Sequence, residues 1–279
     1  MSFVTVAKKE FQDSARSRWL WVVTVLFVLF AAGVTYYNTG ITGSEDPSTV
    51  GLLFSMLFPA TLFIPIIGLM VGYKAVVGER ESGTLKLMLS LPHKRGDVVV
   101  GKFLGRSLSL TVGIVIGFAV AILVFVTQTT SFDVVAYLSF LLLSLLYGLV
   151  FVSIGVGISS LIATSSRAIG LAIFAYIMLV FPNLWAFIPT ILRWVTNGFS
   201  LDLTTEPPGW AQFFSVLSAN SGFSSASRAL IDFESLSGVA QETPDEFYLQ
   251  DWFGLVVLLA WLIIPLALCY VRFERADLS

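Results

Sequence analysis

The sequence predicts an all-α polytopic membrane protein with six transmembrane helices and both ends on the cytoplasmic side. Its composition is the first reason: 56% of the 279 residues are hydrophobic and 12% are charged, whereas about 25% are charged in a soluble domain. The second reason is that six long stretches contain no charged residue. The third is that Lys and Arg are concentrated in alternate segments between these stretches, as in multi-pass membrane proteins.

Each of the six stretches is long enough to cross a bilayer, because a helix needs about 20 apolar residues to span about 30 Å of hydrocarbon. The predicted spans are 19–37, 51–73, 107–127, 134–163, 168–192 and 252–271. Several of them contain Pro or Gly. We expect these residues to be tolerated within continuous spans, since neighbouring helices can satisfy the backbone groups that they free.

The distribution of positive charge predicts the orientation. Fourteen of the 16 Lys and Arg residues lie in segments 1–18, 74–106, 164–167 and 272–279. Because positively charged loops stay in the cytoplasm, these segments are predicted to be cytoplasmic, and the plasma membrane is the expected location. Segment 193–251 is then a large extracytoplasmic segment, with a turn, short helices on the outer leaflet and an acidic loop.

The N-terminal segment, 1–18, is amphipathic. Val6 and Phe11 fall in an apolar stripe, and Lys8, Lys9 and Glu10 are predicted on the opposite, polar face. A basic amphipathic segment directly before a span predicts an elbow helix that lies in the membrane interface. The alternative is a solvated positive anchor that only fixes the topology.

The segment 74–106 is the one large predicted cytoplasmic loop. Its middle, 84–91, is apolar but too short to span, so it exposes apolar surface unless something covers it. Pro92 predicts a break after this stretch, and Asp97 is a candidate cap for a helix that continues into the third span. The apolar face fits a docking site for a partner protein, or it packs against helix ends of this same chain.

The same loop contains an incomplete phosphate-binding motif. Residues 96–102 match the first seven positions of a P-loop, but Phe103 occupies the position where Ser or Thr would bind magnesium. We therefore expect ATP hydrolysis, if it is used, on another chain. The chain has one His and one Cys, so no metal site is predicted, and the uncharged spans offer no carboxylate for coupling to an ion gradient.

Two parts of the sequence resemble the permease subunits of ABC-2-type ABC transporters. The first is the N-terminal run 6–11, Val-Ala-Lys-Lys-Glu-Phe, followed by arginines before the first span. The second is the loop pattern Gly-Glu-Arg-Glu-Ser-Gly-Thr-Leu at 78–85, followed by Leu-Ser-Leu-Pro at 89–92 and Gly101-Lys102. Within the family, the spacing resembles the branch that contains the permease of the nitrous-oxide reductase maturation system.

The resemblance implies a subunit that binds neither ATP nor magnesium itself. Its expected partners are two copies of an ABC ATP-binding subunit, a second permease subunit and the lipid bilayer, with no role for nucleic acid. The residues that match the motifs are an ATPase-coupling interface of Glu79, Arg80, Glu81, Gly83, Thr84 and Leu85, and an elbow helix with Lys8, Glu10 and Phe11.

The residues also leave other interpretations open. A membrane scaffold that docks a partner without transport, or a gradient-driven secondary transporter, would share the same spans. The substrate is open as well. The branch that the spacing resembles is often labelled a probable copper transporter, but the spans contain no series of soft ligands for copper, and a lipid or a drug fits equally.

Overall fold

The computed structural model describes residues 3–37, 48–83, 95–127, 132–196, 208–230 and 246–275. Every regular element in these ranges is helical, which agrees with the predicted all-α class. The helices are α1 (Phe3–Ala15), α2 (Arg18–Tyr36), α3 (Thr49–Gly72), α4 (Val77–Glu81), α5 (Arg95–Val126), α6 (Val134–Leu161), α7 (Ser165–Val180), α8 (Pro182–Thr196), α9 (Gly209–Val216), α10 (Ala219–Leu230) and α11 (Phe253–Arg275), with a 3₁₀ turn at Phe247–Leu249.

Five of the described helices are long and apolar enough to cross a membrane: α2, α3, α5, α6 and α11. They correspond to the first four predicted spans and the last. Helix α6 is the most deeply buried of the five, and it packs against α3, α5 and α11. The core of the bundle therefore forms around α6, while large parts of α2 and α11 face outwards.

Side chains cap the starts of three of these helices. Ser17 accepts a hydrogen bond from the backbone of Leu20 at the start of α2, and Ser48 does the same for Gly51 at the start of α3. Asp133 accepts from two backbone N–H groups at the start of α6. Each cap satisfies a donor that has no partner within the helix, so these starts are encoded locally.

The predicted fifth span, 168–192, is not one continuous helix. It is divided at Phe181, whose backbone is extended, into α7 and α8. The cause is Pro182, which disfavours a helical residue before it and cannot donate to the carbonyl of Met178, four residues back. The indole N–H of Trp185 donates to that carbonyl at 2.6 Å instead. The expectation that proline is tolerated holds in α3 and α11, which are continuous.

Helices α3 and α6 are in very close contact through glycines. A Cβ atom built on Gly155 would lie 2.8 Å from the Cα of Gly72, and one on Gly68 would lie 2.8 Å from the Cβ of Phe151. Atoms do not approach this closely without a shift of the backbone. Small residues therefore set the separation of these helices, as is common in membranes.

The predicted loop 74–106 is helical at both described ends. The first end forms α4, and the other is the start of α5, which runs without interruption from Arg95 into the third span. Asp97 was predicted to cap this helix. That prediction was wrong, because Asp97 lies inside the first turn of α5. The apolar stretch 84–91 and Pro92 lie outside the described residues.

Candidate functional site

A buried ion pair connects the N-terminal helix α1 to helix α5. The carboxylate of Glu10 accepts a hydrogen bond from Lys102 Nζ at 2.6 Å and another from Arg106 Nε at 2.9 Å. The Glu10 side chain is 2% exposed and the Lys102 side chain is 0% exposed. Both charges are therefore removed from water, and each depends on the other for compensation.

A second carboxylate, from α4, completes the network. Glu79 Oε2 lies 2.7 Å from Lys102 Nζ, and Glu79 Oε1 lies 3.2 Å from Lys9 Nζ. Lys102 thus bridges two carboxylates that are 69 positions apart in sequence. The network joins α1, α4 and α5, each of which carries part of the sequence motifs.

The electrostatics of the network favour the charged forms. Burial raises the pKa of Glu10, but the positive charges of Lys102 and Arg106 outweigh burial and hold this pKa below its ordinary value. At the exposed edge, burial lowers the pKa of Lys9, and the carboxylate of Glu79 more than offsets this, so the pKa is raised. Both shifts arise from ion pairing.

Two glycines of α5 allow α1 to come close enough for these contacts. A Cβ built on Gly101 would lie 2.7 Å from the Cβ of Val6, and one on Gly105 would lie 2.7 Å from the Cβ of Glu10. A larger residue at either position would push α1 away from α5. The close approach of the two helices lets the Glu10 carboxylate reach Lys102.

Helix α4 is also fixed to the last turn of α6 and to the residue that follows it. The hydroxyl of Ser159 accepts from the backbone N–H groups of Val76 and Val77, at 2.9 and 3.0 Å. Arg80 Nη1 donates to the carbonyl of Ile162 at 3.1 Å. These contacts tie both ends of α4 to the end of the most buried span.

Glu81 forms the last of these contacts. Its carboxylate accepts from the backbone N–H of Ser165 at 2.6 Å and from the Ser165 hydroxyl, so it caps the start of α7. These hydrogen bonds lower the pKa of Glu81. After it, Gly83 has a φ of +75°, a conformation that favours glycine, so the chain turns sharply as it leaves α4.

Most of the predicted site residues lie in described parts of the chain, and the predicted exposure of Glu10 was wrong. Glu10 was assigned to the polar face of the elbow helix, but it is buried because its partners come from α5. Lys8 is exposed, and Phe11 is half-buried. Thr84 and Leu85 lie outside the described residues, and the coupling role of the whole set stays a prediction.

Sequence reasoning missed several contributors to the site. Four residues of the site were not predicted: Lys9, Arg106, Ser159 and Ser165. The burial of Lys102 was not predicted either. A local signal did exist for Lys102 and Arg106, because they are four residues apart and therefore share a helix face. No pattern indicated that Glu10 would be their partner.

The segment that resembles a P-loop has a different structure. Residues 96–102 belong to α5, and Lys102 is bound to two carboxylates. The segment therefore does not form the glycine-rich loop that cradles phosphates. No cluster of three or more His, Cys, Asp or Glu side chains that could hold a metal occurs among the described residues.

Comparison with known proteins agrees with the resemblance in the motifs. The chain matches the family described as "ABC-2 family transporter protein" over residues 4–278. A Pseudomonas aeruginosa protein described as "Probable ABC transporter permease protein NosY" is 38% identical over 177 residues, which are 61% of this chain and 63% of that protein. A protein of the same description from Stutzerimonas stutzeri is 33% identical over 183 residues, 63% of this chain and 65% of its own length.

Both matches cover less than two thirds of the length of these relatives, whereas the family match covers nearly the whole chain. The names of the relatives agree with the branch that the motifs resemble. The apolar helices agree with a multi-pass membrane protein. The chain belongs to the ABC-2 family of transporter proteins.

Proposed function

We propose that this chain is the permease subunit of an ABC transporter and moves its substrate with energy from ATP hydrolysed on a separate subunit. ATP and magnesium would bind to that ATPase, of which two copies serve two permease subunits. Both chain ends would lie in the cytoplasm of a cell whose plasma membrane the protein crosses six times. The divided segment of α7 and α8 would supply the fifth crossing.

The observation that carries this proposal is the attachment of α4 to four other helices. A partner that docks on residues 79–85 would contact an element tied by Lys102 to α1 and α5, and by Ser159 and Glu81 to α6 and α7. Because buried ion pairs and capped helix ends resist separation, a displacement of α4 would move these helices together. Such an arrangement suits a subunit whose helices are moved by a partner protein.

The test is co-purification of the permease with its ATPase, followed by measurement of transport-linked ATP turnover. The variants are Glu81→Ala, which removes the contact with α7, and Gly83→Pro, which is incompatible with the φ of +75°. Gly83→Asn is the matched variant, because Asn tolerates this conformation, and it should retain more coupling than Gly83→Pro. Gly33→Ala serves as a control, since a Cβ there meets nothing within 4 Å.

The proposal predicts that wild-type permease co-purifies with the ATPase and that Gly83→Pro reduces the stimulation of ATP turnover more than Gly83→Asn. If no ATPase binds to the wild-type chain, the proposal fails and a scaffold or a gradient-driven transporter takes its place. If the ATPase binds but turnover is the same in every variant, the coupling role of residues 79–85 is wrong. Uptake driven by an ion gradient in the absence of ATP would favour the secondary transporter.

A further inference from the structure

A cavity of about 590 Å³ lies beside the charge network. It is enclosed by the end of α1, the start of α2, the end of α3 and the first half of α7, and Arg106 reaches it from α5. Pockets of about 300–1,000 Å³ are typical of sites for small molecules. The residues that fix α4 to α6 and α7 do not line this cavity, so it is a separate candidate site.

The cavity runs along the membrane-spanning helices for part of one leaflet. On α3 its lining extends from Ile66 to Tyr73, which is about 10 Å at a rise of 1.5 Å per residue. One leaflet contributes about 15 Å of hydrocarbon. No other part of the described chain covers the outer wall: Trp19 and Ile173 line it and are 71% and 55% exposed.

The two ends of the cavity differ in chemistry. The deep end is lined by apolar side chains such as Ile66 and Ile173. At the other end lie Arg106, Lys74 and Asp13, together with two serines. An apolar body with a charged end is complementary to an amphiphile whose headgroup sits at the membrane surface.

The charges specify the headgroup further. Lys74 is exposed and lies over the ring of Tyr73, 5.5 Å from its centroid, and Arg106 adds a second cation of which one edge is taken by Glu10. Arg106 Nη1 also donates to the carbonyl of Val71. Over the charge network and the cavity lining together, the four cations Lys9, Lys74, Lys102 and Arg106 exceed the three carboxylates Glu10, Asp13 and Glu79 by one, which leaves one positive charge for an anion. Asp13 can accept a hydrogen bond from a hydroxyl of the same headgroup.

We propose that this cavity binds one acidic phospholipid with a hydroxyl-bearing headgroup, with its phosphate at Lys74 and Arg106 and one acyl chain along α3 and α7. Only the choice of the cytoplasmic leaflet rests on the proposed function, since it uses the proposed orientation. Binding itself requires neither ATP nor the ATPase. A zwitterionic lipid would not balance the positive end and should bind more weakly.

The test is native mass spectrometry of the full-length permease, purified in detergent without an ATPase and titrated with phosphatidylglycerol or phosphatidylcholine. Each cation near an anionic headgroup is worth about fivefold in affinity, so we expect phosphatidylglycerol to bind at least about fivefold more tightly. Lys74→Glu should abolish this preference. Ala172→Phe, which places a ring in the cavity, should remove binding of both lipids.

Arg167→Glu is the matched control, because Arg167 is exposed near the start of α7 and does not line the cavity. It should keep the preference for phosphatidylglycerol. Equal loss in Arg167→Glu and Lys74→Glu would show that only the general surface charge attracts the lipid, and the proposal would be overturned. It would also be overturned if cysteines placed at 19 and 173 cross-linked two copies efficiently and no lipid bound, since a second copy would then occupy the opening.

These outcomes are independent of the coupling experiment. Failure of lipid binding leaves ATPase docking on residues 79–85 untouched. Failure of ATPase docking leaves the lipid measurement valid, because the mass spectra use the permease alone. The two proposals can therefore be rejected separately.

Discussion

The role of Lys102 can be tested by a change that keeps its length and removes its charge. In Lys102→Met, Glu10 loses its contact of 2.6 Å and Glu79 loses its contact of 2.7 Å. Breaking a buried ion pair costs about 3–5 kcal/mol, because a charge is left uncompensated. Glu10 keeps Arg106 as a partner, so we expect the lower end, about 3 kcal/mol of unfolding free energy.

The assay is reversible unfolding of the purified protein by SDS titration in mixed micelles, followed by circular dichroism. Glu10→Gln and the double variant complete a thermodynamic cycle with Lys102→Met. Since neighbours in one network couple by about 0.5–3 kcal/mol, the double variant should be destabilised by clearly less than the sum of the single changes. Lys8→Met is the control, because Lys8 is exposed on the same helix as Glu10, and it should stay within about 0.5 kcal/mol of wild type.

Two results would refute this reasoning. One is a Lys102→Met variant that is as stable as the Lys8→Met control, since a lysine with 0% exposure would then contribute nothing to the fold. The other is strict additivity in the cycle, which would mean that Glu10 and Lys102 act independently. Either result would remove the physical basis for treating α1, α4 and α5 as one connected unit.

Other measurements test separate parts of the structure. The pKa of Glu10 is lowered in the folded protein, so ionised Glu10 stabilises the fold fully above its ordinary pKa of 4.5 and loses this effect as pH falls through the lowered pKa. Unfolding titrations at decreasing pH should show the loss of stability. In Glu10→Gln the unfolding free energy should depend less on pH. Gly155→Leu should cost about 1–3 kcal/mol by overpacking, whereas Gly170→Leu, with open space around it, should cost little in the same assay. Trp185→Phe removes the donor at the α7–α8 break and should cost about 1–2 kcal/mol, against almost nothing for Trp210→Phe at an exposed site.

The amount that could be predicted from the sequence depended on the range of the interactions. The uncharged spans reflect lipid as a solvent, a property of each segment alone, and five of them are helices of sufficient length and hydrophobicity. The division at Pro182 also has a local cause, because proline lacks a backbone N–H donor and disfavours a helical conformation in the residue before it. It was missed because proline is accommodated in α3 and α11, and the sequence does not say where a neighbour will compensate.

The charge network depended on long-range contacts and was predicted only in part. Helical periodicity places a charged residue on the solvent side by default, and that assumption misplaced Glu10. Its partner Lys102 is 92 residues away, beyond the reach of any local pattern. The motif resemblance did select Glu10, Glu79 and Lys102 together, but without stating that they touch.

A buried ion pair is weak support for a role in stability alone, because apolar residues of similar size often stabilise a protein equally well. A buried ion pair can instead fix the relative positions of the helices that it connects. Lys102 holds two carboxylates from different parts of the chain, so it fixes how α1 and α4 are placed relative to α5. If the double variant of Lys102 and Glu10 is nearly as stable as wild type but no longer couples to ATP turnover, the network positions α4 for a partner. If stability and coupling are lost in proportion, the network acts through folding, and the transmission of movement must be sought in the contacts of Ser159 and Glu81.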